Sequence, residues 1–260
     1  MSDYTVTMKQ EEIYGIIDME KDTLGISVIM PSYLGNYSNG RSNSIDKFIR
    51  AVDSFLNQPI KQKELIIISD GCEKTNRIYF DMWQNNEDIK LIRCERYEER
   101  WPGNLREMGR CIAKYEWITY LDSDDIFLSF HLSNLAEAIR FSKTPVLLQK
   151  KAYMPYVKNP NDVYLNFVYI NRDEYLQLPK HTVYSIIDDI ETICVEFGGY
   201  NGTWQISHKN DIRERWKSSE SIGEDADFIK RILNTNNAEL FNGGYLICHM
   251  EEKSKVIVDF

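Results

Sequence analysis

Between positions 26 and 121, short blocks of apolar residues alternate with stretches in which apolar residues fall at helical spacing. Residues 26–31 and 64–68 are mostly apolar, as in parallel strands that are covered on both faces. Between these blocks the apolar residues fall at helical spacing, and residues 57–59 end the pattern. These apolar residues are Ile45, Phe48, Ile49, Val52, Phe55 and Leu56. Strand, helix and strand in this order predict a right-handed crossover and a parallel sheet.

The alternation continues along the chain. Further strands are predicted at 89–92 and 117–121, with a helix between them at 104–115. One face of that helix would carry Leu105, Met108, Ile112 and Ala113. The pattern therefore predicts a third and a fourth strand of the same sheet.

The second half of the chain is less regular. We predict a helix at 131–142, strands near 145–150 and 163–170, and a polar or irregular stretch to about 200. A last helix opens at Glu224 and Asp225. Its inward side would consist of Phe228, Ile229, Ile232 and Leu233.

These elements predict an α/β fold with a mostly parallel central sheet flanked by helices. At 260 residues the chain is expected to form one domain. Ligands of open parallel sheets bind beyond the carboxyl ends of the strands. The loops at 32–43, 70–76 and 122–126 all follow predicted strands and are therefore expected at that edge.

Composition narrows the range of partners. A hydrophobic share of 43% fits a globular protein, and the net charge of −9 disfavours nucleic acid and anionic membranes. The first 24 residues contain no apolar signal-like core, and no stretch is apolar enough to span a membrane. The 5 cysteines form no Cys-x-x-Cys pair, which disfavours a disulfide framework or a zinc site. We therefore expect a cytoplasmic protein.

The candidate chemistry begins at the end of the fourth strand. Asp122, Ser123, Asp124 and Asp125 leave an apolar run and enter a loop. Carboxylates in such a place are costly to bury unless a cation compensates them, and hard divalent ions prefer oxygen ligands. A turn that caps the next helix is the alternative, and for an isolated Asp-x-Asp it is the better one.

The acidic run is accompanied by other motifs in a fixed order. They are Ile-Met-Pro-Ser-Tyr at 29–33, Glu-Leu-Ile-Ile-Ile-Ser-Asp-Gly at 64–71, Arg-Glu-Met-Gly at 106–109 and Tyr-Leu-Asp-Ser-Asp-Asp at 120–125. Together they resemble the donor-binding half of family 2 glycosyltransferases of the GT-A fold. Gly-Glu-Asp at 223–225 and the segment from Tyr245 through His249 to Ser254 resemble later motifs of that family.

The resemblance implies a division of the chain. Residues 1–24 would be an N-terminal extension, and residues 25–260 one GT-A domain. Within it, residues 25–149 would bind the nucleotide-sugar and residues 150–260 the acceptor, with a small antiparallel element on the acceptor side.

The resemblance also implies roles for the donor side. Pro31, Ser32 and Tyr33 would line the nucleotide pocket with Asp70 beside the base, although a turn-forming Asp-Gly is the simpler account of Asp70. Arg106, Asp122 and Ser123 would also contact the donor, with Asp122 at the ribose. Asp124 and His249 would bind Mn²⁺ or Mg²⁺.

On the acceptor side, the family motif implies Asp225 as general base, with Glu224 as the neighbour that could share the role. Both acids also suit the positive end of a helix dipole. Tyr200, Gly202 and Trp204 would face the acceptor, or else form a tight turn and a core strand. The implied reaction is transfer of a sugar, of the hexosyl type, from a nucleotide-sugar such as a UDP-sugar to a hydroxyl of a glycan or glycoconjugate, with inversion.

Three alternatives stay open at this point. A sugar nucleotidyltransferase would share the sheet and the acidic loop, but would carry more basic residues than Arg41 in the loop at 32–43. A catalytically silent carbohydrate-binding relative would have no need of the acids. A nucleic-acid base as acceptor conflicts with the net charge. The donor sugar and a homo-oligomeric state are also open.

Overall fold

The computed structural model describes residues 24–35, 43–97, 101–150, 152–153, 185–186, 190–191, 204–217, 224–241 and 243–247. The helices are α1 (Ser44–Leu56), α2 (Glu73–Met82), α3 (Pro102–Ile112), α4 (His131–Phe141) and α5 (Glu224–Thr235). The first strands are β1 (Ile26–Ser32), β2 (Lys63–Asp70), β3 (Ile89–Cys94), β4 (Trp117–Tyr120), β5 (Ile126–Phe127) and β6 (Val146–Lys150). The later strands are β7 (Ala152–Tyr153), β8 (Ser185–Ile186), β9 (Ile190–Glu191), β10 (Trp204–Lys209), β11 (Glu239–Leu240) and β12 (Tyr245–Ile247).

The described strands form a central seven-stranded sheet in the order β11-β6-β10-β4-β1-β2-β3. Strands β4, β1, β2 and β3 run parallel, whereas β10 is antiparallel to β4 and β6. Strand β12 pairs antiparallel with β5 and parallel with β7 in a smaller sheet. The predicted α/β fold, with a mostly parallel sheet and a small antiparallel element, is confirmed.

Both faces of the sheet are covered, which explains why its strands are apolar without alternation. Val28 and Met30 of β1 belong to the core under α1 and α4, whereas Ile29 belongs to the core under α3 and α5. In β2, Leu65 and Ile67 likewise face the first core. The four inward residues predicted for α5 are all buried, as expected.

The buried face of α3 differs from the prediction. Met108 and Ile112 are 39% and 44% exposed, and the buried side chains include Arg106 and Arg110. Arg110 is satisfied by the carbonyls of residues 210, 212 and 214, which surround its guanidinium. The apolar spacing was misleading because acceptors from distant segments, which no local pattern shows, allow both arginines to be buried: backbone carbonyls for Arg110 and carboxylates for Arg106.

Helix α2 was not predicted from the pattern. Its buried side chains, Thr75 and Asn76, are polar, and Ile78 and Tyr79 are only partly buried against the core, so its apolar stripe is weak. The strand predicted at 163–170 and most of residues 1–24 lie outside the described residues. Among the described helices, none is long and apolar enough to cross a membrane.

Two buried histidines should make the fold acid-sensitive. Burial lowers the pKa of His131 to about 3, and burial lowers that of His208 to about 4 against a smaller opposing contribution from the Lys209 carbonyl. Unfolded histidines titrate near 6.5, so their contribution to stability is present above that pH and is lost as pH falls toward the folded values. The limiting loss is about 1.4 kcal/mol per histidine for each pH unit.

We expect His131→Gln to flatten this dependence, because the variant removes one of the two groups. The measurement is the free energy of unfolding in urea at several pH values between 7.5 and about 5. Carboxylates contribute equally in both proteins and cancel in the difference. Parallel curves for His131→Gln and the parent protein would contradict the assignment.

Candidate active site

The acidic loop after β4 is held by the sheet and by a buried tyrosine. The Leu121 amide donates to the Ile29 carbonyl at 3.1 Å, which extends the pairing of β1 and β4 by one residue. The Asp122 amide donates to the Tyr245 hydroxyl at 3.1 Å. Burial raises the pKa of Tyr245 well above its ordinary value of 10.0, so this hydroxyl stays protonated. The start of the loop is therefore fixed in position.

Asp125 plays a structural part in this loop. It is 3% exposed, its amide closes a turn on the Asp122 carbonyl at 3.1 Å, and its carboxylate is hydrogen-bonded with Tyr245. The turn that the alternative interpretation offered for this run is present, but Asp125 does not cap the next helix. Strand β5 intervenes, and α4 begins only at His131, behind Phe130 as its N-cap residue.

Tyr33 and Asp124 line one pocket, which we call the edge pocket. Its lining is Tyr33, Leu34, Gly35, Ser44, Lys47, Ser123 and Asp124. It lies at the carboxyl ends of β1 and β4, which are adjacent parallel strands. Three residues predicted separately for the donor and the metal are thus brought together: Tyr33, Ser123 and Asp124.

Pro31 and Ser32 lie beneath this edge. They are the last two residues of β1 and both are buried. The Ser32 hydroxyl shares a hydrogen bond of 2.9 Å with the Thr75 hydroxyl of α2. They support the segment that carries Tyr33, and their predicted contact with a nucleotide stays a prediction.

Asp70 ends β2 at the same edge and is paired with a residue that the motifs did not single out. Its carboxylate is 4% exposed and accepts a hydrogen bond of 2.7 Å from Arg96 Nη1. The guanidinium of Arg96 also lies over the Tyr33 ring, 3.5 Å from its centroid. Asp70 is followed by Gly71 with φ 58°, so the Asp-Gly turn expected from sequence is present as well.

A second group, which we call the Arg106 cluster, joins both halves of the chain. Its members are Arg106, Asp122, Glu224 and Asp225. Arg106 Nη2 donates to Asp122 Oδ1 at 2.7 Å, and Nη1 donates to Glu224 Oε1 and to Asp225 Oδ1, both at 2.8 Å. The predicted ribose ligand and both candidate bases therefore share one guanidinium.

Two helix starts meet at Glu224. Glu224 is the first residue of α5, and its Oε2 accepts a hydrogen bond of 2.9 Å from the amide of Gly103 in the first turn of α3. A Cβ atom at Gly103 would lie 2.8 Å from Glu224 Oε2, so glycine permits this approach. Both carboxylate oxygens of Glu224 are thus engaged, and the helix dipoles favour its charge.

The electrostatics of the cluster follow from burial and pairing. Burial acts to lower the pKa of Arg106, but Asp225, Asp122 and Glu224 outweigh it and raise that pKa above its ordinary value. Burial raises the pKa of Glu224, with Arg106 and the Gly103 amide acting in the opposite direction. Among the described residues, three carboxylates therefore bind the single guanidinium of Arg106.

Asp225 is the more accessible of the two candidate bases. Its side chain is 24% exposed, against 10% for Glu224. Oδ1 of Asp225 is bound to Arg106, and Oδ2 makes no hydrogen bond to the described residues. Oδ2 of Asp225 is therefore the oxygen available to accept a proton.

Trp216, which no sequence motif singled out, packs against the Arg106 cluster. The Arg106 guanidinium lies 4.8 Å from its ring centroid, and Trp216 stacks on Phe228 of α5 at 4.0 Å. Its Nε1 donates to the Tyr120 hydroxyl at 2.8 Å. Trp216 carries no motif, whereas Arg96 could have been suspected from the arginine-rich stretch that begins at Arg93.

Several predicted residues lie outside the described part of the chain. These are Tyr200, Gly202 and His249. Trp204 is the first residue of β10, but its side chain is not described. Within the described ranges no group of three or more Asp, Glu, His or Cys side chains could hold a metal ion on its own.

The chain is similar in sequence to known glycosyltransferases. The family model described as glycosyl transferase family 2 matches residues 27–191. An uncharacterized glycosyltransferase of Rickettsia bellii is 28% identical over 106 residues, which is 41% of this chain and 13% of the relative. The GalNAc(5)-diNAcBac-PP-undecaprenol beta-1,3-glucosyltransferase of Campylobacter jejuni is 28% identical over 113 residues, 43% of this chain and 33% of the relative. The matches span a third or less of these relatives.

Similar folds occur among solved structures. S. aureus TarS 1-349 superposes with a TM-score of 0.60 at 16% identity, over 86% of this chain and 60% of TarS 1-349. Its complex with UDP gives 0.60 at 19% identity with the same coverage. Its complex with UDP-GlcNAc gives 0.59 at 18%, over 86% and 58%. At this identity the likeness is one of fold.

Proposed function

Because the chain belongs to glycosyl transferase family 2, we propose that it transfers a sugar from a UDP-type nucleotide-sugar to a hydroxyl of a glycan or glycoconjugate. Transfer inverts the anomeric carbon and uses a divalent cation. The observation that carries this proposal is the juxtaposition of the edge pocket with the Arg106 cluster. Asp122 of the cluster and Asp124 of the pocket are separated by Ser123 alone.

The edge pocket and its surroundings suit a nucleotide diphosphate. Tyr33 offers an aromatic face, Asp70 a carboxylate for an N–H of a base, and Asp122 an oxygen for a ribose hydroxyl. The fold-related TarS has been captured with UDP and with UDP-GlcNAc. These features support a uridine nucleotide as donor.

The donor set fits a divalent cation that is shared with the donor. Asp124 is half-buried and lines the edge pocket. Mg²⁺ is commonly held by one or two carboxylates together with substrate phosphates, so a preformed cage of three side chains is not required. Asp124, with His249 as a further candidate, would hold the ion. When bound, it would neutralise charge on the departing diphosphate.

The residues of the chain itself account for the remaining chemistry. Asp225 Oδ2 accepts the proton of the acceptor hydroxyl while the acceptor oxygen bonds to the anomeric carbon. The bond from that carbon to the diphosphate oxygen breaks in the same step, and its electron pair leaves with the diphosphate. Arg106 orients Asp225, because its guanidinium binds Oδ1 and leaves Oδ2 directed to the acceptor. Inversion follows from attack on the face opposite the leaving group.

The cation and its ligand are tested with Asp124→Ala. We expect UDP binding in the presence of Mn²⁺ to weaken by about tenfold or more in the variant, and UDP release from UDP-sugars to fall correspondingly, because the diphosphate loses its shared cation. Titration calorimetry with Mn²⁺ and with chelator measures the first effect. Asp46→Ala, an exposed carboxylate in the first turn of α1, is the matched control.

The outcomes separate the competing functions. Metal-dependent binding that persists unchanged in Asp124→Ala would remove Asp124 from the proposal. UDP binding without release of UDP from any sugar donor and acceptor would favour the silent relative. Release of pyrophosphate from UTP and a sugar phosphate would favour a nucleotidyltransferase.

A further inference from the structure

Arg96 covers the two groups that the proposed donor base would use. Its guanidinium lies 3.5 Å from the Tyr33 ring centroid and donates to Asp70 Oδ2 at 2.7 Å. The Asp70 side chain is 4% exposed and that of Arg96 is 35% exposed. Arg96 therefore closes the access to an otherwise buried carboxylate.

The backbone that leads to Arg96 is anchored at Cys94 by the neighbouring turn. Gly71 donates its amide to the Cys94 carbonyl at 2.9 Å, and Asp70 is aligned with Cys94 in the β2–β3 pairing. A Cβ atom on Gly71 would lie 2.7 Å from Arg96 Cβ, so the two segments are in close contact. Because Gly71 packs closely against the backbone of Arg96, we assign any displacement at this site to the Arg96 side chain.

A guanidinium and a nucleobase compete for these groups. Both are flat, both stack on an aromatic ring, and both can donate N–H groups to a carboxylate. A ring face of Tyr33 that is covered at 3.5 Å by Arg96 cannot also stack a base. The two occupants are mutually exclusive on that face.

We propose that the Arg96 side chain, through its contacts with Tyr33 and Asp70, competes with the base of a nucleotide for one subsite and is displaced when the nucleotide binds. The inference rests on the proposed function, since it takes Tyr33 and Asp70 as the receptors of the base. Arg96 then lowers the apparent affinity for a donor, because the donor must first displace it. A ligand that cannot both stack and donate to Asp70 does not displace it.

The expected effect on affinity is moderate. The contact combines a partly exposed ion pair with a cation–π interaction, and such contacts together reduce the apparent affinity of a competitor by about 5- to 30-fold. Removing the side chain should raise affinity by this factor. The sign is diagnostic, because loss of a cation near an anionic nucleotide would by itself weaken binding.

The test is titration calorimetry of UDP, in the presence of Mn²⁺, against the unaltered protein, Arg96→Ala and Arg93→Ala. Arg93 is a matched control, because it lies on the same segment but over Phe80, 5.8 Å from that ring centroid. We expect UDP to bind Arg96→Ala about 5- to 30-fold more tightly, and Arg93→Ala no more tightly than the unaltered protein. In a Tyr33→Ala background the gain from Arg96→Ala should be smaller, because only the competition for Asp70 is left.

Two outcomes would overturn the proposal in different ways. Equal or weaker binding of UDP to Arg96→Ala, with clear binding to the unaltered protein, would overturn the displacement of Arg96 and leave the proposed function standing. Failure of UDP, GDP and dTDP to bind either protein at millimolar concentration would overturn both.

Discussion

Replacing Asp225 by asparagine is expected to lower kcat for sugar transfer by about 10²- to 10⁴-fold, the usual contribution of a general base. Asparagine preserves the volume of the side chain and can still accept the hydrogen bond of 2.8 Å from Arg106 Nη1. The KM for the donor and the thermal unfolding temperature should therefore change little. Steady-state kinetics with a UDP-sugar and a responsive acceptor measures the effect.

The adjacent acids of α5 provide the controls. Asp227→Asn makes the same chemical change at an exposed position of the same helix, where the carboxylate pairs with Arg231 at 2.8 Å, and should alter kcat less than about twofold. Glu224→Gln tests the competing base. If Glu224→Gln abolishes transfer while Asp225→Asn keeps most of its kcat, the two roles are exchanged.

Replacing Arg106 by methionine is expected to lower the free energy of unfolding by about 3–5 kcal/mol and to abolish transfer, because it leaves buried carboxylates without their cation. Arg106 is 7% exposed and is the shared partner of Asp122, Glu224 and Asp225. Lysine should restore only part of the stability, since one ammonium cannot reproduce the fork of the guanidinium. Urea unfolding measures the first effect.

A surface pair and a double variant distinguish loss of charge pairing from general damage. Arg77→Met breaks an exposed pair with Asp81 and should cost less than about 1 kcal/mol. Combining Arg106→Met with Glu224→Gln should recover part of the lost stability, because it removes one unpaired buried charge. Additive losses in the double variant would mean that Arg106 acts by packing on Trp216 instead.

The strands and most helices were predictable because each has a local signature. Continuous apolar blocks such as 65–68 are typical of strands in a sheet that helices cover on both faces, and α1 and α5 carry regular apolar stripes. Helix α2 was not predicted because its buried side chains, Thr75 and Asn76, are polar and its apolar residues Ile78 and Tyr79 are only partly buried. The prediction of which face of α3 is buried was wrong, because Arg106 and Arg110 are buried against acceptors contributed by other segments.

The candidate site was predictable where a motif sits at a strand end. Tyr33, Asp70 and Asp124 each follow or end a strand of one parallel sheet, so the topology alone brings them to one edge. The ion-pair partners of the acidic site residues were not predictable. The pairing of Asp70 with Arg96, and of Asp225 with Arg106, depends on side-chain directions across segments that no spacing relates.

By itself, the sequence determined the fold class, the sheet edge that carries the site and the resemblance to family 2 glycosyltransferases. These follow from the hydrophobic periodicity and from the order of the motifs, both of which are visible in the sequence without knowledge of the fold. Only the tertiary structure decided that Arg106 binds Asp122, Glu224 and Asp225 together, and that Arg96 lies on Tyr33. Charges are paired where burial makes them costly, and burial is known only when the segments have packed.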